Sequence, residues 1–239
     1  MKALLLLLKT AKLGKCVLTG GSMMLSMFSY ALVFGWRYAA GFILLLFCHE
    51  MGHYAAARQR GLDVGAPTFI PFVGAWIQLK ELPHNVETEA YIAIAGPVAG
   101  SLASLICYFY ARWEGSPLLL ALAYAGCMLN LFNLLPLSPL DGGRITAIIS
   151  PKMWWLGMPI LIGLFIWYPS PMLLLIAVLA LPHLRSTLQA EGSSDSPQNY
   201  YSTSPSIRTT YAAWYLGLTI FLGLMVFSLY ESLSLMRRI

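Results

Sequence analysis

Charged side chains are what this sequence has least of. Only 10% of its 239 residues are Asp, Glu, Lys or Arg, against roughly a quarter in an average soluble domain. That shortage excludes an ordinary soluble globular protein. Cysteine is scarce too: Cys16, Cys48, Cys107 and Cys127 form no CxxC pair and lie in or at the edge of apolar runs. They read as small buried hydrophobes rather than as redox or ligand groups. Cys48 adjoins His49 but points about 100° away from it on a helix, which makes it a poor ligand. The sequence also lacks an internal repeat and any polar stretch long enough for a soluble domain.

What it has instead is apolar length. Hydrophobic residues make up 58% and the mean hydropathy is +0.69, arranged in runs that reach the roughly 20 residues a helix needs to cross a bilayer. Spans are expected at 16–36, 38–57, 90–111, 117–140 and 211–230. Residues 153–181 are either two short spans broken at "PSP" (169–171) or one long kinked helix. The fold class is therefore an all-α polytopic membrane protein with six or seven transmembrane helices, residues 1–239 forming a single integral membrane domain. Lys2, Lys9, Lys12 and Lys15 resemble the basic start of a signal peptide. The apolar part that follows is too long and has no A-x-A site, so an uncleaved first helix is expected. For six or seven helices alike, Lys and Arg gather on the side of the N-terminus, which places that end in the cytoplasm. The net charge of +5 thus reads as a topology signal, and no nucleic-acid partner is expected.

Two connections stand out. The loop at 58–89 contains "PTFIPFVGAWIQL" (67–79), apolar but broken by Pro67, Pro71 and Gly74. Its β-branched and aromatic residues suit an extended hairpin, re-entrant or interfacial, with a loop lying on the membrane surface as the alternative. Residues 186–208 form a polar, Ser-rich linker.

One apolar run carries groups foreign to lipid. "FCHEMGH" (47–53) places His49, Glu50 and His53 in the second span, two of only four histidines in the chain. Four residues apart on a helix, the two imidazoles emerge on one face. Both then reach one tetrahedral zinc, with Glu50 beside the open coordination position as general base. Each intramembrane ionisable group costs roughly 2.5–3.5 kcal/mol on insertion scales. Three so close together point to a metal or a water-filled cavity. A third protein ligand is still needed, and the candidates are His84, His183, Glu81, Glu87, Glu89 and Asp141. Pro136 and Pro139 break helical hydrogen bonding before Asp141, and Gly142 and Gly143 permit an unwound backbone there. The second and fourth spans run in the same direction, so His53 and Asp141 end on the same side.

With "HEMGH" (49–53), "GPVAG" (96–100) and "NLLPLSPLDGG" (133–143) in view, the chain resembles the site-2 protease family of intramembrane zinc metalloproteases. The last stretch matches the family pattern of Asn, Pro three later, and Asp-Gly eight after the Asn. The motifs cover residues 38–144, the extent of the family's catalytic core. The resemblance implies that His49, His53 and Asp141 bind one Zn2+, that Glu50 is the catalytic base, and that Asn133 assists substrate or oxyanion binding. It implies a metalloendopeptidase acting on transmembrane or membrane-proximal substrates, in the cell membrane of a prokaryote, and likens 67–79 to the family's re-entrant β-structure. Many relatives carry PDZ or CBS domains, for which this chain has no room. Gly96 and Gly100 form G-x-x-x-G, continued by Ala103 and Ser104, and read as a helix-packing face. Asn130 is open between an interhelical hydrogen bond and a role at the site. The rival is a metal permease or other non-proteolytic metal-binding protein. Permeation favours acidic groups and histidines strung across the membrane, whereas here they cluster at one depth.

Overall fold

The computed structural model describes the backbone of residues 2–72, 74–76, 83–190 and 198–236, with side chains from residue 17 onward outside 76 and 186–199. The N-terminal half runs α1 (Lys2–Phe34), α2 (Trp36–Gln59), β1 (Thr68–Ile70), β2 (Gly74–Trp76), α3 (Val86–Glu114) and α4 (Pro117–Asn133). Then come α5 (Asp141–Thr146), a 3-10 turn (Pro151–Met153), α6 (Trp154–Trp167), α7 (Pro171–Ala190), α8 (Gln198–Tyr201) and α9 (Pro205–Met236). Val17–Phe34, Val86–Glu114 and Pro205–Met236 are long and apolar enough to cross a membrane, and 117–133, 151–167 and 171–185 are shorter apolar helices.

Local chemistry sets the helix ends. Gly35, at φ +82°, turns α1 into α2 in a conformation that favours glycine. Asn85 caps α3 by accepting from the Thr88 amide at 2.8 Å. At the far end, Gly115 in the left-handed region, Ser116 as N-cap and Pro117 in the first turn of α4 make a tight reversal.

Residues 153–181 resolve into two helices broken at 168–170, just before Pro171. The linker beyond them returns to the side from which α3 starts. The Tyr200 hydroxyl donates to Glu89 Oε2 at 2.5 Å, and Arg208 Nη1 donates to the Ile149 carbonyl at 3.0 Å. Both ends of the α6–α7 pair thus lie on the side from which α3 starts, as the two-span reading of 153–181 requires. Part of the expected linker is ordered: 198–201 is helical and α9 already begins at Pro205, while 191–197 lie outside the described residues.

The hairpin packs against α1 and α2. Its strands pair antiparallel, Thr68 with Trp76, Phe69 with Ala75 and Ile70 with Gly74; residues 73 and 77–79 of the expected 67–79 lie outside the described residues. Two bonds tie it to α1: Thr19 Oγ1 donates to the Pro67 carbonyl at 2.7 Å, and the Phe69 amide donates to Ser22 Oγ at 3.1 Å. Phe69 is buried with Ile43 and Leu46 of α2. Near the tip, the Phe72 ring lies 4.9 Å from Tyr30, itself 5.1 Å from Phe42. Phe42 precedes His49 by seven residues on α2, a rise of about 10 Å. Phe72 therefore lies near the level of Phe42, about two turns of α2 before His49.

The fourth span needs correction. It was expected to run to residue 140, but α4 ends at Asn133 and 134–140 are irregular. Pro136 and Pro139 remove helical donors. Irregular backbone is tolerated at depth only where its polar groups are satisfied, and here Tyr215 of α9 donates its hydroxyl to the Leu134 carbonyl at 2.7 Å. Gly142 and Gly143 are helical within α5, not unwound. They are needed for close approach: a Cβ at Gly142 would strike the Leu134 carbonyl, and one at Gly143 would strike the Ser138 amide.

Candidate metal centre

α2 carries His49 and His53 on one face, their ring centroids 4.7 Å apart. Their Nε2 atoms are 3.1 Å from each other, and each lies 3.2 Å from Asp141 Oδ2. Asp141 reaches them because 134–140 fold back beneath α4 and deliver it as the first residue of α5. That short helix is pinned by Trp154, whose Nε1 donates to the Gly143 carbonyl at 2.8 Å, and by Thr146 Oγ1, which donates to the Gly142 carbonyl at 2.8 Å.

The outward-facing nitrogens settle the tautomers. His53 Nδ1 lies 2.8 Å from the Ile92 carbonyl; a carbonyl only accepts, so Nδ1 carries the proton. His49 Nδ1 lies 2.8 Å from Asn130 Oδ1, while Asn130 Nδ2 donates to the Gly126 carbonyl at 2.7 Å. Both Nε2 atoms therefore present lone pairs toward a carboxylate oxygen. Three acceptors converging in this way repel one another unless a cation sits among them. Zinc bonds of roughly 2.0–2.1 Å imply tetrahedral ligand edges of about 3.3 Å, close to the 3.1–3.2 Å measured here. Among the described residues, His49, His53 and Asp141 are the group able to hold a metal. Two imidazoles and one carboxylate fit zinc and leave a fourth position open, as catalytic sites do.

The site is buried. His49 is 3% exposed, Glu50 6% and Asp141 8%. Glu50 follows His49 on α2, and no hydrogen bond or ion pair joins it to another described residue. Asn133 is the half-buried last residue of α4, and its side chain makes no hydrogen bond within the described residues. The other third-ligand candidates are engaged elsewhere or exposed. Glu87 lies 3.7 Å from Arg60, Glu89 is held by Arg144 at 3.2 Å and by Tyr200, and His84 and His183 are exposed. Glu81 lies outside the described residues. On the cytoplasm-expected rim, burial and the Glu89 carboxylate push the Tyr200 phenol well above its ordinary range.

The glycine face of α3 does more than pack helices. A Cβ at Gly96 would strike the His53 imidazole, and one at Gly100 would strike the Asn130 carboxamide. Gly52 of α2 is similarly pressed against the Ala95 carbonyl. The sequence carried a usable signal, since Gly96 and Gly100 repeat with the same spacing of four as His49 and His53.

Fold and site together describe a polytopic membrane protein with a buried His-His-Asp cluster that fits zinc. The model of Peptidase family M50 matches residues 37–117. A zinc metalloprotease of Methanocaldococcus jannaschii is 34% identical over 128 residues, covering 50% of this chain and 37% of that protein. A solved site-2 protease structure from the same organism aligns with TM-score 0.45 and 24% identity, over 73% of this chain and 87% of that one. Over residues 37–117 the chain is similar to M50 zinc metalloproteases, and it spans about a third of the length of the first of them.

Proposed function

We propose that this protein is an intramembrane metalloendopeptidase that hydrolyses peptide bonds of transmembrane or membrane-proximal substrates. The observation that carries the reading is the convergence of three acceptor atoms on one point in a buried helical core, with a buried glutamate beside it. His49, His53 and Asp141 would hold a zinc ion, which would supply Lewis acidity toward a water and the scissile carbonyl. Glu50 takes the proton from that water and returns it to the leaving amine. Asn133 donates its amide to the developing oxyanion. A transmembrane helix pairs its own amides, so it must unwind before its backbone is accessible. A strand edge of the 68–76 hairpin offers replacement hydrogen bonds by β-addition.

The experiment is incubation of the purified protein with model transmembrane peptides, with and without a zinc chelator. Cleavage is expected to disappear on chelation and return with zinc. Glu50→Gln is expected to lower cleavage by about 10²–10⁴-fold, the range of a lost general base, with zinc content unchanged. Substantial cleavage by that variant would remove Glu50 from its role. The N-terminus faces the cytoplasm of a prokaryotic cell in this reading, supported by the basic residues on that side. A cysteine placed at Asp63, on the exposed surface after α2, is then expected to react only with membrane-permeant reagents in intact cells. Labelling by an impermeant reagent would reverse the orientation.

A further inference from the structure

Every imidazole that binds a metal must first choose which nitrogen keeps its proton. At His53 the choice is made by a backbone carbonyl, which has no donor mode. At His49 it is made by a side-chain amide, which has both modes, so something must decide which end of that amide faces the ring. The Gly126 carbonyl decides it by taking Asn130 Nδ2 at 2.7 Å, leaving Oδ1 toward His49 Nδ1 at 2.8 Å. Asn130 is only 1% exposed, and the space it occupies exists because residue 100 has no Cβ. Three helices thus converge on one amide: α4 supplies it and its acceptor, α3 the room, α2 the ring.

We propose that Asn130 is a positioning residue of the metal centre, holding the His49 proton on Nδ1 and so committing Nε2 to the metal. This rests on the reading of His49, His53 and Asp141 as metal ligands and does not depend on proteolysis. The neutral amide suits the place. A carboxylate there would add a further negative charge to a buried site that already holds Asp141 and Glu50, whereas asparagine orients the ring without charge. An asparagine that merely tied α2 to α4 would have no need to meet the nitrogen opposite the ligand atom.

The test uses the full-length purified protein, with zinc affinity measured by competition against a chromophoric chelator and ligand geometry read from the visible bands of the cobalt-loaded form. Asn130→Leu keeps the bulk and removes the acceptor. It is expected to bind zinc about 10–100-fold more weakly, the range for a lost outer-shell partner, with altered cobalt bands. Asn130→Asp keeps an acceptor for Nδ1 but sets its second oxygen against the Gly126 carbonyl and adds a charge, so its zinc affinity is expected to fall between those of Asn130→Leu and wild type. Gly100→Ala leaves Asn130 in the chain but crowds its amide, and is expected to weaken zinc binding in the same direction. Asn130→Leu with wild-type affinity and unchanged cobalt bands would overturn the proposal. If Asn130→Leu does not fold, Gly100→Ala decides: weakened zinc binding supports the role, and wild-type affinity overturns it. A wild-type protein that binds zinc but cleaves no peptide defeats the protease reading alone, whereas one that binds neither metal defeats both.

Discussion

α1 and α3 are near equals in the sequence, 33 and 29 residues long and each apolar enough to cross a membrane. In the fold they diverge. In its most apolar stretch α3 is 44% buried, whereas α1 is only 6% buried. Most of what α3 buries is small, as at Ala90, Ala93, Gly96, Gly100, Ser101, Ser104 and Ala111, beside the larger Val86, Ile92 and Ile94. α1 instead turns out Leu18, Leu25, Phe28 and Leu32, side chains that suit contact with lipid tails. Small residues let helices approach closely, and along α3 that closeness seats His53 directly and His49 through Asn130. Apolar length locates a membrane helix. Side-chain size tells which one shapes the site.

The sharpest test of that contrast uses the carboxylates near the site. Glu87 and Glu89 begin α3 yet face Arg60 and Arg144, whereas Asp141 meets both histidines. Asp141→Ala leaves two imidazoles and is expected to lose more zinc affinity than the roughly 10–100-fold cost of removing an outer-shell partner, and activity with it. Glu87→Ala and Glu89→Ala are expected to keep a full equivalent of zinc. Metal analysis of detergent-purified variants decides between them. An Asp141→Ala protein with full zinc, beside a glutamate variant without it, would reverse the ligand assignment.

A matched pair of glycines comes next in size. Gly96→Ala puts a methyl group where the His53 ring lies, whereas Gly20→Ala on α1 meets nothing within 4 Å. The first is expected to weaken zinc binding by about 10–100-fold, as a displaced ligand orientation does. The second is expected to leave zinc unchanged and to raise stability by up to about 1 kcal/mol through helix propensity. Thermal melts and zinc titrations on both variants separate the outcomes. Equal behaviour of the pair would mean that α3 acts only as another membrane helix.

Much of this was legible because one spacing carries it. The four-residue interval fixes His49 and His53 on one face, and the charges flanking the spans bring Asp141 to their side. What the sequence left open depends on contacts between helices. Asn130 and Gly100 are 30 residues apart, and nothing in either span says that one fills the space left by the other. The end of α4 was overrun because Leu134, Leu135 and Leu137 continue the apolar pattern past the point where the helix stops. Apolar character alone does not register the donors that Pro136 and Pro139 lack. Gly142 and Gly143 were read for backbone freedom, but the fold uses them for close approach to the Leu134 carbonyl and the Ser138 amide.

The smallest effect concerns what α1 does in place of holding a metal. Its inner face carries the hairpin, through Thr19, Ser22 and Tyr30. Gly74 opens β2 at φ +127°, a conformation proline does not reach because its ring holds φ near −65°. Gly74→Pro is therefore expected to disorganise the strand pair. The metal ligands lie on α2 and α5 and should be untouched. If the hairpin edge receives substrate, cleavage of a model transmembrane peptide falls severalfold, the zinc content stays at wild type, and a short pre-unwound peptide is cut nearly as well as before. That last arm matters, because a peptide that is already extended needs less help from a strand edge. Equal losses on both peptides would assign the hairpin a purely structural part beside α1. Unchanged turnover on both would remove it from substrate binding altogether.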